Sequence, residues 1–386
     1  MRRILFFPAL LAAACLLSCQ EPREPAASLS VASALRGGDD RGYARAVTPR
    51  DFQFPADHGP HPGFRTEWWY YTGSLATREG RRLGFQLTFF RSALAPESPE
   101  RESAWGANEA WLAHFTVTDA EGGRFVSFER WSRGAVGLAG ARAEPFRVWL
   151  EDWTAEAAGA RPGQPTPPMR LRAEQDGAAI DLVLQPGKPP VLQGDRGLSQ
   201  KGPEPGNASY YYSLTRMPAS GTVRVGGERF QVSGLAWMDR EWSTSSLSAD
   251  QVGWDWFALQ LDDGTDLMLY RLRKKDGSAD PLSSATVAGP AGETRHLSLA
   301  DFRLEDLERW TSPRSGGVYP ARWRVRIPAE DLDLEVSPLL ADQELDVSFR
   351  YWEGAVAVEG RHRGQPVRGR GYVEMTGYTG EISARH

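Results

Sequence analysis

Trp254-Asp255-Trp256-Phe257-Ala258-Leu259-Gln260-Leu261-Asp262-Asp263-Gly264-Thr265-Asp266-Leu267-Met268-Leu269-Tyr270-Arg271-Leu272 decides the fold. Two short apolar runs flank Asp263-Gly264, a dipeptide whose glycine tolerates the positive φ that tight hairpin turns demand. The stretch therefore reads as two antiparallel strands. The same punctuation recurs, with Asp176-Gly177 between Met169 and Leu184, Gly226-Gly227 between Thr222 and Val232, and Arg363-Gly364 between Gly354–Glu359 and Val367–Met375. Apolar and polar residues alternate across Gly84–Arg91, Trp111–Thr118, Arg124–Trp131 and Phe146–Trp153, the period of half-buried strands. Runs with helical period are scarce, and Ser298–Leu307 is the one candidate for a short helix. Forty glycines and 27 prolines in 386 residues exceed the average share of about 12%, as a chain of many turns requires. The sequence predicts an all-β protein of antiparallel sheets, built as sandwiches or barrels. The runs Gly159–Pro168 and Gln185–Gly206 read as long loops.

Single cores stop growing near about 250–300 residues, so a chain of 386 divides. Ser243–Ser248 interrupts two strand-rich halves and sets the boundary near Ser245, giving domains over 47–245 and 246–386. Lys and Arg number 45 against 50 Asp and Glu, a net charge of -5. That balance lacks the basic excess that phosphate backbones attract, which excludes nucleic acid as a partner. Both cysteines, Cys15 and Cys19, lie in the first 20 residues, so the body of the chain has no disulfide, Cys-ligated zinc or thiol nucleophile. Arg2 and Arg3 precede an apolar run, Ile4–Leu17, too short to span a bilayer, which predicts a signal peptide over 1–18. Leu16-Leu17-Ser18-Cys19 resembles a bacterial lipobox, which implies cleavage before Cys19 and lipidation of its thiol. Gln20 rather than Asp follows it, so the implied address is the outer membrane of a bacterial envelope, facing the periplasm, with residues 19–46 as a polar tether.

Three dense segments carry the candidate chemistry. They are Phe54-Pro-Ala-Asp57-His58-Gly-Pro-His61-Pro-Gly-Phe64-Arg65-Thr66-Glu67-Trp68-Trp69-Tyr70-Tyr71, then Gly234–Ser243 with Asp239, Arg240 and Trp242, then Gly253–Leu261. Each sets an acid among large aromatics, where burial raises a carboxyl pKa unless a cation pairs with it. Glu67, Asp239 and Asp255 are thus the candidate catalytic acids, and Trp69, Tyr71, Trp242, Trp254 and Trp256 the candidate walls of a ligand site. Tryptophan is also an ordinary filler of β cores, and Glu67 can equally serve as a structural partner of Arg65 or of backbone amides. Asp57, His58 and His61 sit in a Gly/Pro loop without helical spacing, so they read as loop braces rather than metal ligands. His114, His296 and His362 are isolated and receive no role. Gly-x-Ser-x-Gly and Walker motifs are absent, so serine-hydrolase and nucleotide-hydrolase readings have no support. The reading calls for no metal and no cofactor.

Four motifs in order, Phe64-Arg65-Thr66-Glu67-Trp68-Trp69-Tyr70, Trp237-Met238-Asp239 with Glu241-Trp242, Trp254-Asp255-Trp256-Phe257, and Gly371-Tyr372-Val373-Glu374-Met375-Thr376-Gly377-Tyr378, resemble the AttH and carotenoid 1,2-hydratase (hydroxyneurosporene synthase) like proteins over nearly all of the mature chain. The resemblance implies two lipocalin-like β domains with a ligand site near their junction, where Glu67, Asp239, Arg240, Trp242, Trp254 and Asp255 are expected to meet. Many members read Met-Asp-His-Glu-Trp where this chain has Arg240 in place of the histidine. A guanidinium cannot shuttle a proton as imidazole does, but it grips carboxylate or phosphate. Two functions follow from the resemblance. One is an AttH-type lipoprotein that holds an apolar or amphipathic small molecule for ABC transporter permease components, with Arg240 on an anionic head or simply paired with Asp239 or Glu241. The other is a cofactor-independent hydro-lyase, or a related isomerase or cyclase. There a neutral Asp239 or Asp255 protonates an isolated alkene, and the indoles of Trp242, Trp254 or Trp256 stabilise the cation.

Overall fold

The structure is a computed structural model that describes residues 40–97, 103, 105–159, 163–244 and 247–379. The expected signal peptide, the lipidation site Cys19, most of the tether and Ser245 lie outside the described residues.

Among the described residues the chain forms two antiparallel sheets, of 13 and 10 strands. In spatial order the first runs Arg124–Arg133, Glu109–Asp119, Arg82–Ala93, Thr66–Ala76, Glu228–Ser243, Ala208–Val225, Ala178–Leu184, Met169–Gln175, Trp153–Ala157, Arg147–Leu150 and Ala139–Arg142. It curls until Arg147–Leu150 comes over Arg82–Ala93 and Glu109–Asp119. The second runs Thr294–Ser298, Ser284–Ala288, Asp266–Lys274, Gln251–Leu261, Gln365–Met375, Tyr351–His362, Leu332–Pro338, Val318–Ile327 and Arg303–Thr311, with Glu344–Leu345 paired to Tyr351–His362 off this path. Three of the hairpin dipeptides close two-residue turns with both residues at positive φ: Asp176-Gly177 (46° and 85°), Gly226-Gly227 (61° and 82°) and Arg363-Gly364 (50° and 73°). Turns of that hand match the twist of the strands they join.

Two expectations fail. Ser298–Leu307 holds no helix; Thr294–Ser298 and Arg303–Thr311 are strands, and Asp301 Oδ2 fixes the bend between them by accepting from the Ser298 amide at 2.8 Å and hydroxyl at 2.7 Å. Gln185–Gly206 is not all loop, because Val191–Leu192 and Leu198–Gln200 pair with Ala208–Val225.

Each sheet wraps its own core. In the first, Phe115 meets Trp153 edge-on at 5.6 Å and the Tyr71 hydroxyl reaches the Met169 sulfur at 3.5 Å. In the second, Phe257 meets Trp323 edge-on at 5.4 Å. The outer faces of the central strands are also buried, because the sheets pack against each other there around Tyr70, Tyr211, Trp237, Trp256, Tyr270 and Tyr372. They approach closely: a Cβ at Gly84 would stand 2.6 Å from that of Ala355. Polar side chains cross the junction in matched pairs, among them Thr118 to Gln343 at 2.8 Å, Thr116 with Tyr372 at 3.2 Å, and Thr215 to Asp266 at 2.8 Å. Strands buried on both faces lose the in–out alternation in their sequence. The half-exposed Ala178–Leu184 keeps it, with every second side chain buried.

Candidate active site

Strand alternation delivers the site. Along Thr66–Ala76, Trp69 and Tyr71 enter the first core while Trp68 and Tyr70 face the junction; along Glu228–Ser243, Met238 and Trp242 enter the core while Trp237 faces the junction. Gln251–Leu261 does the same from the other sheet, presenting Trp254 and Trp256 to the junction and Phe257 and Leu259 to the second core. Where the packing leaves a gap, a cavity of about 290 Å³ lies between the sheets. Trp68, Tyr70, Tyr211, Trp254, Trp256 and Tyr270 wall it, Phe90, Leu112 and Phe349 extend it, and Asp239, Glu241, Glu353 and Glu374 border it.

Three of these acids are held against ionisation. Asp239 is pushed up to about 7, chiefly by burial, with a smaller push from Glu241. Opposing donors keep it from going further: Ser213 and Trp237 donate to Oδ1 at 2.5 and 2.7 Å, and Tyr211 to Oδ2 at 2.5 Å. Glu374 rises to about 8, again chiefly by burial and then by Asp239 and Glu241, against a hydrogen bond from Trp254. Glu353 stands directly across from Glu374 in the strand ladder and rises well above the usual carboxylate range, through burial and then its neighbour's charge. Tyr70 donates to Glu353 Oε2 at 2.8 Å, while Oε1 is buried without a partner. Glu241 differs, since Lys201 and Ser209 both bond its Oε1. Lys201 Nζ in turn lies 5.9, 5.5 and 5.8 Å from the ring centroids of Trp68, Tyr211 and Tyr270, so this wall already surrounds a cation.

A half-buried acid held neutral marks its own pH dependence. The folded protein keeps a proton on Glu374 that the unfolded chain releases above about pH 4.3, so the stabilisation is complete below that pH and is lost as pH rises toward about 8. Glu374→Gln removes this loss, since the amide oxygen still accepts from Trp254. Its melting temperature should exceed that of the wild type at pH 8 and match it at pH 4; an equal offset at both values would refute the assignment.

The cavity takes in some of the residues singled out from sequence and not others. Asp239, Trp254 and Trp256 line it. Glu67 borders it, but its carboxylate is bound by Arg91, by Arg240 and by the His61 amide, not by Arg65. Burial works to raise its pKa, and Arg240, then His61 and Arg91, overcome this and hold it well below the usual carboxylate range. It carries no proton at neutral pH of the kind a general acid must give. Arg240 is fully buried on the strand face opposite Asp239 and does not line this cavity. Its guanidinium lies 3.9 Å over the Trp69 ring, donates to the Gly59 carbonyl at 2.5 Å and pairs with Glu67, and with no accessible surface it is out of reach of an anionic ligand. Trp242 stacks on His61 at 3.7 Å inside the first core, Trp69 donates to the His58 carbonyl at 2.8 Å and stacks on Trp111, and Tyr71 is equally interior. Asp255 faces the second core, paired with Arg271 at 2.7 Å and Arg273 at 3.2 Å, with a hydrogen bond from Tyr378 at 2.8 Å. In each case the physical reason is the same: neighbours along a strand point to opposite faces. The loop residues brace, as read. Asp57 accepts from Arg50 and the Gln53 amide and meets His61 at 3.1 Å.

Sequence reasoning missed Glu353, Glu374, Tyr211, Lys201 and His114. Tyr351-Trp352-Glu353 and Tyr372-Val373-Glu374 carry the same signal as the three dense segments, an acid in an aromatic strand, and it could have been applied to them. Nothing in the sequence announces Lys201 or His114. Among the described residues no group of three or more His, Cys, Asp and Glu side chains is arranged to hold a metal ion.

Known proteins share this architecture. The AttH-like family model matches residues 45–378. A putative AttH from Nitrosomonas europaea is 37% identical and superposes with a TM-score of 0.76, over 87% of this chain and all of the other. Kievitone hydratase from Nectria haematococca, at 16% identity, superposes with a TM-score of 0.64 over 88% of this chain and 97% of its own. CghA, solved with Sch210972, is 15% identical with a TM-score of 0.51 over 89% and 98%. The AttH and kievitone hydratase folds are lipocalin-like, as the two curled sheets here are. Among curated proteins none matches the sequence.

Proposed function

This chain belongs to the AttH-like family, and on that premise we propose that it is a cofactor-independent hydro-lyase that adds water to an isolated alkene of an apolar small molecule. The observation that carries the reading is Asp239. It is a buried carboxyl, bordering an aromatic cavity, with a pKa of about 7. An acid matched to the working pH is the best compromise between being protonated and being willing to give the proton up. In the reaction the alkene π pair takes the Asp239 proton, and positive charge develops on the more substituted carbon. The aromatic wall that surrounds Lys201 lies along the same cavity and offers ring faces to that charge. A water oxygen then bonds the cation and releases a proton. Glu353 and Glu374, held neutral, keep fixed negative charge from trapping the cation as an ester or ion pair. A neighbour of the same fold is a hydratase by name, which agrees with the reading.

The test uses 2-prenylphenol, a compact aromatic with one trisubstituted alkene, incubated with the protein in H2 18O. The expected product is the tertiary alcohol carrying the heavy oxygen. Prenylphenol that binds, by displacement or calorimetry, yet returns unchanged would overturn catalysis in favour of a holding protein for apolar or amphipathic molecules.

A further inference from the structure

Hydration releases a proton from the attacking water, and the cavity wall supplies an acceptor for it besides the Asp239 carboxylate left by the first step. Tyr351 begins the Tyr351–His362 strand of the second sheet, and His114 sits in Glu109–Asp119 of the first; both line the cavity. Tyr351 Oη and His114 Nδ1 are 2.6 Å apart, and His114 Nε2 is 3.0 Å from Glu129 Oε2. Glu129 is the direct ladder partner of His114, and Ser348 donates to its other oxygen. Burial works to raise the Glu129 pKa, but its hydrogen bonds, that of His114 first, hold the pKa below its ordinary value. An ionised carboxylate only accepts, so it fixes the imidazole proton on Nε2. In the neutral ring this leaves the Nδ1 lone pair for the Tyr351 hydroxyl. His114 and Tyr351 are 1% and 2% exposed, so water does not compete for these bonds.

Resting on the hydration reading, we propose that Tyr351 is the proton acceptor of the site: it takes a proton from the attacking water as its own passes to His114, with Glu129 positioning the imidazole. The water oxygen's lone pair forms the C–O bond, its O–H bond breaks toward Tyr351 Oη, and the phenol O–H bond breaks toward Nδ1. Tyr351 ends as a neutral phenol, and His114 as an imidazolium beside Glu129. Asp239 has lost one proton and His114 has gained one, so a single exchange with solvent restores the starting state. Burial, followed by the charges of Glu353, Glu374 and Glu129, pushes the phenol well above its ordinary value. No tyrosinate therefore stands in the cavity at rest, and the phenol gives up its proton only while another arrives. Tyr212 and His58 make the same 2.6 Å contact inside the first core, but there Nε2 meets the Pro165 carbonyl and neither residue borders the cavity. That pair has a neutral carbonyl rather than a carboxylate on Nε2, and it does not face the cavity.

Phenylmethanesulfonyl fluoride reports on the relay without needing the natural substrate. The phenol oxygen bonds sulfur, fluoride leaves, and the phenol proton goes to His114. Peptide mass spectrometry should find Tyr351 labelled ahead of Tyr270, which lines the same cavity and whose hydroxyl meets Ser199 Oγ rather than a histidine. His114→Asn should slow labelling about a hundredfold, and Glu129→Gln should slow it as well. Glu129→Gln at the half-buried outer end of the relay supplies the readout if His114→Asn does not fold. Labelling of Tyr351 no faster than Tyr270, or equally fast in both variants, overturns the relay. Fast, His114-dependent labelling with no hydration of 2-prenylphenol upholds the relay and sinks the hydration reading. Hydration at full rate in Tyr351→Phe does the reverse.

Discussion

Exchanging Asp239 for asparagine lowers kcat for 2-prenylphenol hydration by about 10²–10⁴ and leaves KM nearly unchanged. Asparagine fills the same space and its amide oxygen still accepts from Ser213 and Trp237, while its NH2 donates to the Tyr211 hydroxyl in place of accepting from it, so the cavity keeps its shape; what it lacks is a transferable proton. The wild type supplies a second signature. Asp239 must be protonated to act, so kcat falls as pH rises through about 7. Asp239→Asn loses that limb together with the rate. A variant that keeps most of the wild-type kcat, or loses it while the melting temperature collapses, would remove Asp239 from the chemistry.

Arg240→Ala destabilises the protein by about 3–5 kcal/mol while the surviving folded fraction keeps its affinity for 2-prenylphenol. The cost arises because Glu67 stays behind as a buried charge: Arg240 and Glu67 are both fully inaccessible, and alanine also removes the cation over Trp69 and the donors to Gly59 and Trp68. Arg240→His retains part of this, so it should fall between the two in chemical denaturation. The pH dependence follows from the depressed Glu67 pKa. Its stabilisation is fully present above the unfolded glutamate pKa of about 4.3 and is lost as pH falls below that toward the folded value. Wild type and Arg240→Ala should therefore converge in stability in strong acid. A stable Arg240→Ala that has lost the ligand would restore Arg240 to a binding role, against its position here.

Read alone, the sequence determined the class of fold. Asp176-Gly177, Gly226-Gly227 and Arg363-Gly364 fix three hairpins because only a few residues tolerate consecutive positive φ, and that preference is local. It also identified where chemistry concentrates, since an acid among indoles in a strand is costly wherever the strand goes. It could not decide which face of a central strand looks into a core and which into the junction. Alternation puts Asp239 and Arg240, or Trp254 and Asp255, on opposite sides, but both sides are buried, so hydropathy does not distinguish them. Curling of each sheet made the choice, giving Asp239 to the cavity and Arg240 to Glu67. Tertiary structure alone brought His114 to Tyr351, 237 positions away, and Glu353 across from Glu374. Their pKa values belong to that enclosure: burial is the first cause of every raised carboxyl in the site, and burial is a property of the packed sheets rather than of any segment of the chain.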